Sequence, residues 1–114
     1  MAGMELPRAT KALADRRHEL APEADDAFRA FSKAVFADGA LDARTKQLIA
    51  IAVAHVTQCP WCIDGHVKLA RRQGASNEQI MEAIWVAAEM RAGAAWTHAL
   101  KSVELMSELD ERGK

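Results

Sequence analysis

The sequence predicts an all-α protein, and three features point there. Of the 57 hydrophobic residues in a chain of 114, 24 are alanine, the strongest helix former. Residues that favour strands are scarce, with six valines, five isoleucines and no tyrosine. Apolar residues also recur every three or four positions, as in Ala24, Ala27, Phe28, Phe31 and Val35. The length is that of a single domain, expected to span 1–114.

The elements follow in order. Pro7 suits the opening turn of a short helix from about Arg8 to Glu19. Pro22 starts a second helix, which closes on Asp38 and Gly39 as a stop. Asp42 is a suitable N-cap for a third, running to about Val56. That helix holds the unbroken apolar run Leu48 to Ala54 and should be buried on nearly all sides, partly by a neighbouring subunit. Cys59 followed by Pro60 fits the N-cap and first position of a fourth helix ending at Gln73, with Gly74 as its C-terminal glycine. Ser76 and Gln79 form a capping box for a fifth, and Gly93 marks a kink or break before a last helix from about Ala94 to Leu109. The count is about five to six helices.

Charge and hydropathy exclude several functions. Lys plus Arg is 15 and Asp plus Glu is 16, a net charge of -1, so the chain lacks the basic excess that binding a phosphate backbone needs. Nucleic acid is therefore not an expected partner. The Leu48 to Ala54 run falls far short of the roughly 20 apolar residues that span a bilayer. The first 20 residues hold no stretch resembling a signal peptide, and the expectation is a cytoplasmic protein with no membrane partner. Only 33 residues are apolar and larger than alanine, which makes a thin core. Leftover apolar faces are expected to be buried between copies of the chain, giving a homo-oligomer.

The chemistry gathers around two cysteines, Cys59 and Cys62. A staple over so short a loop constrains the unfolded chain little, which leaves a redox role, a metal site or inert burial. With Cys59 at the N-cap, Cys62 and His66 differ by about 40° around the axis and about 6 Å along it, so they share one face. The helix N-terminus favours anions and so favours the thiolate, the reactive form. The spacing also brings the two Cα atoms within the roughly 4.4 to 6.8 Å that a disulfide needs. One thiolate can then attack a peroxide to give a sulfenic acid, the other cysteine can condense with it to a disulfide, and a dithiol can reset the pair.

Other residues carry smaller expectations. A metal site is disfavoured because Cys59 and His66 stand about 10 Å apart along the helix, so His55 or His98 would have to fold in. Ile63 follows Cys62 where haem attachment needs histidine, and no strand pattern precedes the motif as a thioredoxin fold would require. Trp61 reads as a packing residue, and His55 as structurally hydrogen-bonded or solvated, with catalysis as its alternative. Gly65 suggests close approach by another backbone or by substrate. Lys68, Arg71 and Arg72 read as complements to the C-terminal end of their helix.

The stretch from Lys46 to His66, KQLIAIAVAHVTQCPWCIDGH, resembles the alkylhydroperoxidase D-like (AhpD-like) branch of the carboxymuconolactone decarboxylase family. The likeness continues through Ala70 and Gly74-Ala75-Ser76 to Ile80 and covers roughly residues 38–92. The resemblance implies an AhpD-like helical bundle assembled as a homotrimer or homohexamer. It also implies thiol-dependent peroxidase activity with no bound cofactor, reset by an external dithiol reductant, either a protein or a small thiol. In the family's motif Cys62 is the cysteine facing the hydroperoxide, Cys59 resolves it, and His66 matches the histidine of the proton relay.

One position departs from that pattern. The family places a glutamate twelve residues before the first cysteine, and here that residue is Gln47. An amide can orient a water or a thiol but cannot accept and return a proton at neutral pH. Three outcomes stay open: His66 works alone, His55 substitutes, or the chain is a weakly active or non-catalytic redox-sensing or binding oligomer with Gln47 structural at a subunit contact. Lyase chemistry of the carboxymuconolactone decarboxylase type is disfavoured, because that branch is not built around a Cys-x-x-Cys pair.

Overall fold

A computed structural model describes residues 6–113 and shows five α-helices, with no strand among those residues. They are α1 (Lys11–Leu20), α2 (Pro22–Phe36), α3 (Ala43–Thr57), α4 (Pro60–Arg72) and α5 (Asn77–Arg112). The expected all-α class holds. Residues 1–5 and 114, part of the expected domain 1–114, lie outside the described residues. The chain forms two compact units, one up to Ala43 and one from Arg44 onward.

In the first unit α1 starts later than Pro7 suggests, because Thr10 supplies the cap: its Oγ1 accepts from the Leu13 amide at 3.3 Å. Helix α2 opens on Pro22 with Glu23 and Asp25 in its first turn, where carboxylates meet the positive end of the helix. The two helices pack together. Between them the Asp25 carboxylate lies 3.0 Å from Arg29 Nε and 3.7 Å from Arg17 Nε. Helix α2 stops at Phe36, and Asp38 Oδ1 accepts from the Ala43 amide at 2.7 Å.

The second unit carries the core. Ile51 of α3, Ala70 of α4, and Ala75 and Ile80 around the start of α5 form a buried cluster, with Leu48, Val67 and Ile84 against it. The turn from α4 to α5 is closed tightly. Gly74, at φ +88°, donates to Arg71 O, and Ala75 donates to Ala70 O. These paired bonds satisfy the last carbonyls of α4 and need a left-handed residue at Gly74. Ser76 and Gln79 then make the expected capping box in both directions.

Two expectations are corrected here. Helix α5 runs unbroken through Gly93, so the separate last helix from Ala94 does not exist. One glycine in a helix interior costs about 1 kcal/mol, and flanking alanines with long side chains sustain the helix across it. Within the single chain α3 is covered on part of its surface only: Gln47, Ile51 and Ala54 are buried, and Ile49, Val53 and Val56 are exposed. At Gly65, apart from its own helix backbone and chain neighbours, no described atom comes within 4 Å of where a Cβ would sit, so no other backbone segment of this chain approaches it closely. No helix among the described residues is long and apolar enough to cross a membrane.

The two glycines of the α4 region should respond oppositely to the same change. Gly65→Ala fills open space in a helix interior and should stabilise by about 1 kcal/mol. Gly74→Ala forces a side chain into the left-handed region and should cost about 1 kcal/mol or more. Urea midpoints of the two variants, moving in opposite directions from the parent, check both.

Candidate redox site

The site is organised by the short joint between α3 and α4. Gln58 adopts φ +57°, the left-handed conformation that ends a helix. The Cys59 amide then reaches back to Ala54 O at 3.1 Å, closing α3. Cys59 is also the N-cap of α4: its Sγ accepts from the Cys62 amide at 3.3 Å and its carbonyl from the Ile63 amide at 3.0 Å. Pro60 follows at the first helical position, where it needs no hydrogen bond. The left-handed turn at Gln58 was not visible in the sequence, because neither glycine nor asparagine marks it.

Cys59 and Cys62 are joined in a disulfide with Cα atoms 5.2 Å apart, inside the expected range, and both are half-buried. One turn further along α4, His66 meets Gln47 of α3. The ring Nδ1 donates to Gln47 Oε1 at 2.6 Å. Gln47 is 6% exposed and is, among the described residues, the one polar side chain that is buried. Burial lowers the His66 pKa from its ordinary 6.5, because the low-dielectric surroundings disfavour the imidazolium. The structure thus brings together Gln47 and His66, nineteen residues apart in sequence, one turn beyond the cysteine pair.

The remaining candidates lie differently. His55 uses Nδ1 on Ile51 O of its own helix at 2.8 Å, and His98 likewise on Ala94 O at 2.7 Å. Among the described residues no group of three or more His, Cys, Asp or Glu side chains is placed to hold a metal. Trp61 is exposed in the single chain. Lys68 pairs with Asp64 at 2.9 Å and Arg71 donates to Asn77 Oδ1, so these two cations engage specific side chains rather than only the end of α4.

Comparison with known proteins agrees with this architecture. The profile of the carboxymuconolactone decarboxylase family matches residues 22–105. The chain is 67% identical over 110 residues to a Paracoccus denitrificans protein named uncharacterized protein 4 in cox locus, covering 96% of this chain and 98% of that one. A crystal structure of a carboxymuconolactone decarboxylase family protein from Legionella pneumophila is similar at TM-score 0.65 and 36% identity, over 85% of this chain and 86% of that one. A Thermotoga maritima family protein, described with a suggested involvement in antioxidative response, is similar at TM-score 0.56 and 31% identity, over 78% and 92%.

The lowered His66 pKa links stability to pH. Between that lowered value and 6.5 the unfolded chain binds more protons than the folded one, so stability rises with pH across this window. Acidification from pH 7.5 through 6.5 should therefore weaken the oxidised protein, and the loss should level off below the folded-state pKa. Urea unfolding at a series of pH values checks this. Relative to His66→Gln, the parent should carry the extra slope; equal slopes would show that His66 is not the titrating group.

Proposed function

Because the chain belongs to the carboxymuconolactone decarboxylase family, we propose that it is a thiol-dependent peroxidase that reduces hydroperoxides through a Cys59/Cys62 dithiol-disulfide cycle. One observation carries the reading: a disulfide across the first turn of a helix, with a hydrogen-bonded imidazole one turn beyond it. The suggested antioxidative involvement of the Thermotoga protein supports it.

The steps follow from the sulfur chemistry. The Cys62 thiolate attacks one peroxide oxygen, the O–O bond breaks, and the alkoxide leaves as the alcohol after taking a proton. Cys62 is then a sulfenic acid. The Cys59 sulfur attacks Cys62, the S–S bond forms, and hydroxide leaves as water with a further proton. An external dithiol, protein or small molecule, returns two electrons and two protons and is itself oxidised to a disulfide. The helix N-terminus favours both thiolates, and His66 carries protons between sulfur and leaving oxygen. A homotrimer or homohexamer in the cytoplasm, where thiols are kept reduced, completes the proposal. The apolar surface of α3 and α5 left open in one chain supports the oligomer.

Gln47 favours a second reading, a redox-responsive oligomer that forms the same disulfide but turns over slowly, since the amide cannot relay a proton. A lyase acting on a lactone gives the dithiol no part to play.

Adding one equivalent of an alkyl hydroperoxide to the reduced protein should remove both thiols. Cys59→Ser should stop at a sulfenic acid on Cys62, and Cys62→Ser should keep its remaining thiol. Sustained turnover with a dithiol separates the peroxidase from the slow redox-responsive protein. Thiols that survive the peroxide would overturn both readings, and lactone decarboxylation retained by the Cys59→Ser/Cys62→Ser variant would identify a lyase.

A further inference from the structure

We propose that the cleft between α1 and α2 is a binding site for a small organic phosphate monoester. The proposal goes beyond the dithiol reading and does not depend on it. The cleft has a volume of about 690 Å³, within the roughly 300 to 1,000 Å³ of small-molecule sites, and is lined by Arg17, Asp25, Phe28, Arg29, Ser32 and Lys33. Five of these form one stripe of α2, at spacings of three and four residues, and Arg17 joins them from α1.

The charges along the stripe are arranged for an anion rather than for the helix. Arg29 and Lys33 stand four residues apart, a like-charge spacing that weakens a helix, and Arg17 adds a third cation. Asp25 offsets one of the three. Its carboxylate, 11% exposed, lies 3.0 Å from Arg29 Nε through one oxygen and 3.7 Å from Arg17 Nε through the other, so it holds two guanidinium groups side by side. Both arginines use Nε for that contact, which leaves their terminal Nη groups for a ligand. Among the described residues Lys33 forms no ion pair. Three other carboxylates of α1 and α2 are engaged elsewhere: Asp15 with Lys11, Glu19 with Arg16 and Asp26 with His18.

Three cations and one carboxylate leave two positive charges in the cleft, which suits a dianion. A phosphate monoester carries close to that charge at neutral pH and offers three acceptor oxygens to the guanidinium groups, the ammonium and the Ser32 hydroxyl. Guanidinium forks match phosphate oxygens in geometry as well as in charge. Phe28 is 65% exposed, so its ring is open to the organic part of the ligand. Inorganic phosphate would leave that ring without a contact, and a monocarboxylate would leave one positive charge unmatched.

Phenyl phosphate titrated into the full chain in its disulfide form tests this, read by ¹H–¹⁵N spectra that include the arginine Nε–H groups. At pH 7.5 the probe is mostly dianionic, its second ionisation lying near about 6. Saturable shifts should gather on α1 and α2 and at the Arg17 and Arg29 Nε–H signals, with a Kd below about 1 mM. Inorganic phosphate and benzoate should each bind about fivefold or more weakly. Lys33→Gln, which leaves the Asp25 contacts in place, and Phe28→Ala should weaken phenyl phosphate by a similar factor of about five. Lys101→Gln, which removes an exposed cation of α5 paired with Glu104, should leave binding unchanged. Absence of saturation by about 10 mM, a Lys33→Gln variant that binds like the parent, or an equal loss in Lys101→Gln would overturn the site. Benzoate as tight as phenyl phosphate would overturn the dianion, and inorganic phosphate as tight would overturn the organic ligand. No peroxide or reductant is present, so the outcome is independent of what the thiols do.

Discussion

Cys59 closes two helices at once, and the site depends on that double duty. Its amide satisfies the last turn of α3, while its sulfur and carbonyl satisfy the first turn of α4. A residue with so many backbone obligations has little freedom, so its sulfur is placed by the secondary structure itself. Cys62 follows within disulfide reach and His66 one turn later, both on the same rigid helix. The joint is short, and side chains of α3 and α4 meet beyond it in the Gln47–His66 contact and in the cluster that holds Ile51 and Ala70. The polar pair Gln47 and His66 then falls on the faces that also carry Ile51 and Ala70, one turn away on each helix. The packing that buries Ile51 is thus the packing that brings the amide to the imidazole.

The electrostatic character of the site follows from its burial. An unpaired carboxylate in the place of Gln47 would be costly to desolvate unless a cation faced it. With an amide there, the ring beside it is stable as a neutral base, and burial reinforces that state. His55 stands apart from this pair in one respect: its Nδ1 bonds the Ile51 carbonyl of its own helix. Two half-buried sulfur atoms at a helix start thus lie one turn from an imidazole that is hydrogen-bonded to a buried amide.

Away from the site the chain leaves much apolar surface open. Trp96 is 81% exposed and Leu100 71%, both on the part of α5 beyond Gly93, and Val53 of α3 is also open. Few large apolar residues, many alanines and one 36-residue helix make a fold whose internal core is small. That is the physical content of the composition, and it is why a single copy buries so little.

Much of this was legible in advance because it is local. Alanine content and apolar spacing determined the helical class; Pro22, Pro60, Gly74, Ser76 and Gln79 announced helix ends through backbone requirements that act within a few residues. The Cys-x-x-Cys pair and the histidine one turn on were equally readable, since one helical turn sets their distances. The continuity of α5 through Gly93 was not, because a single glycine costs less than the surrounding helix formers supply. Nor was the left-handed Gln58, whose side chain gives no hint of its backbone angle. Above all, the contact between Gln47 and His66 was decided by tertiary structure alone: nineteen residues and a helix reversal separate them, and only the packing of α3 on α4 sets which nitrogen of the ring meets the amide.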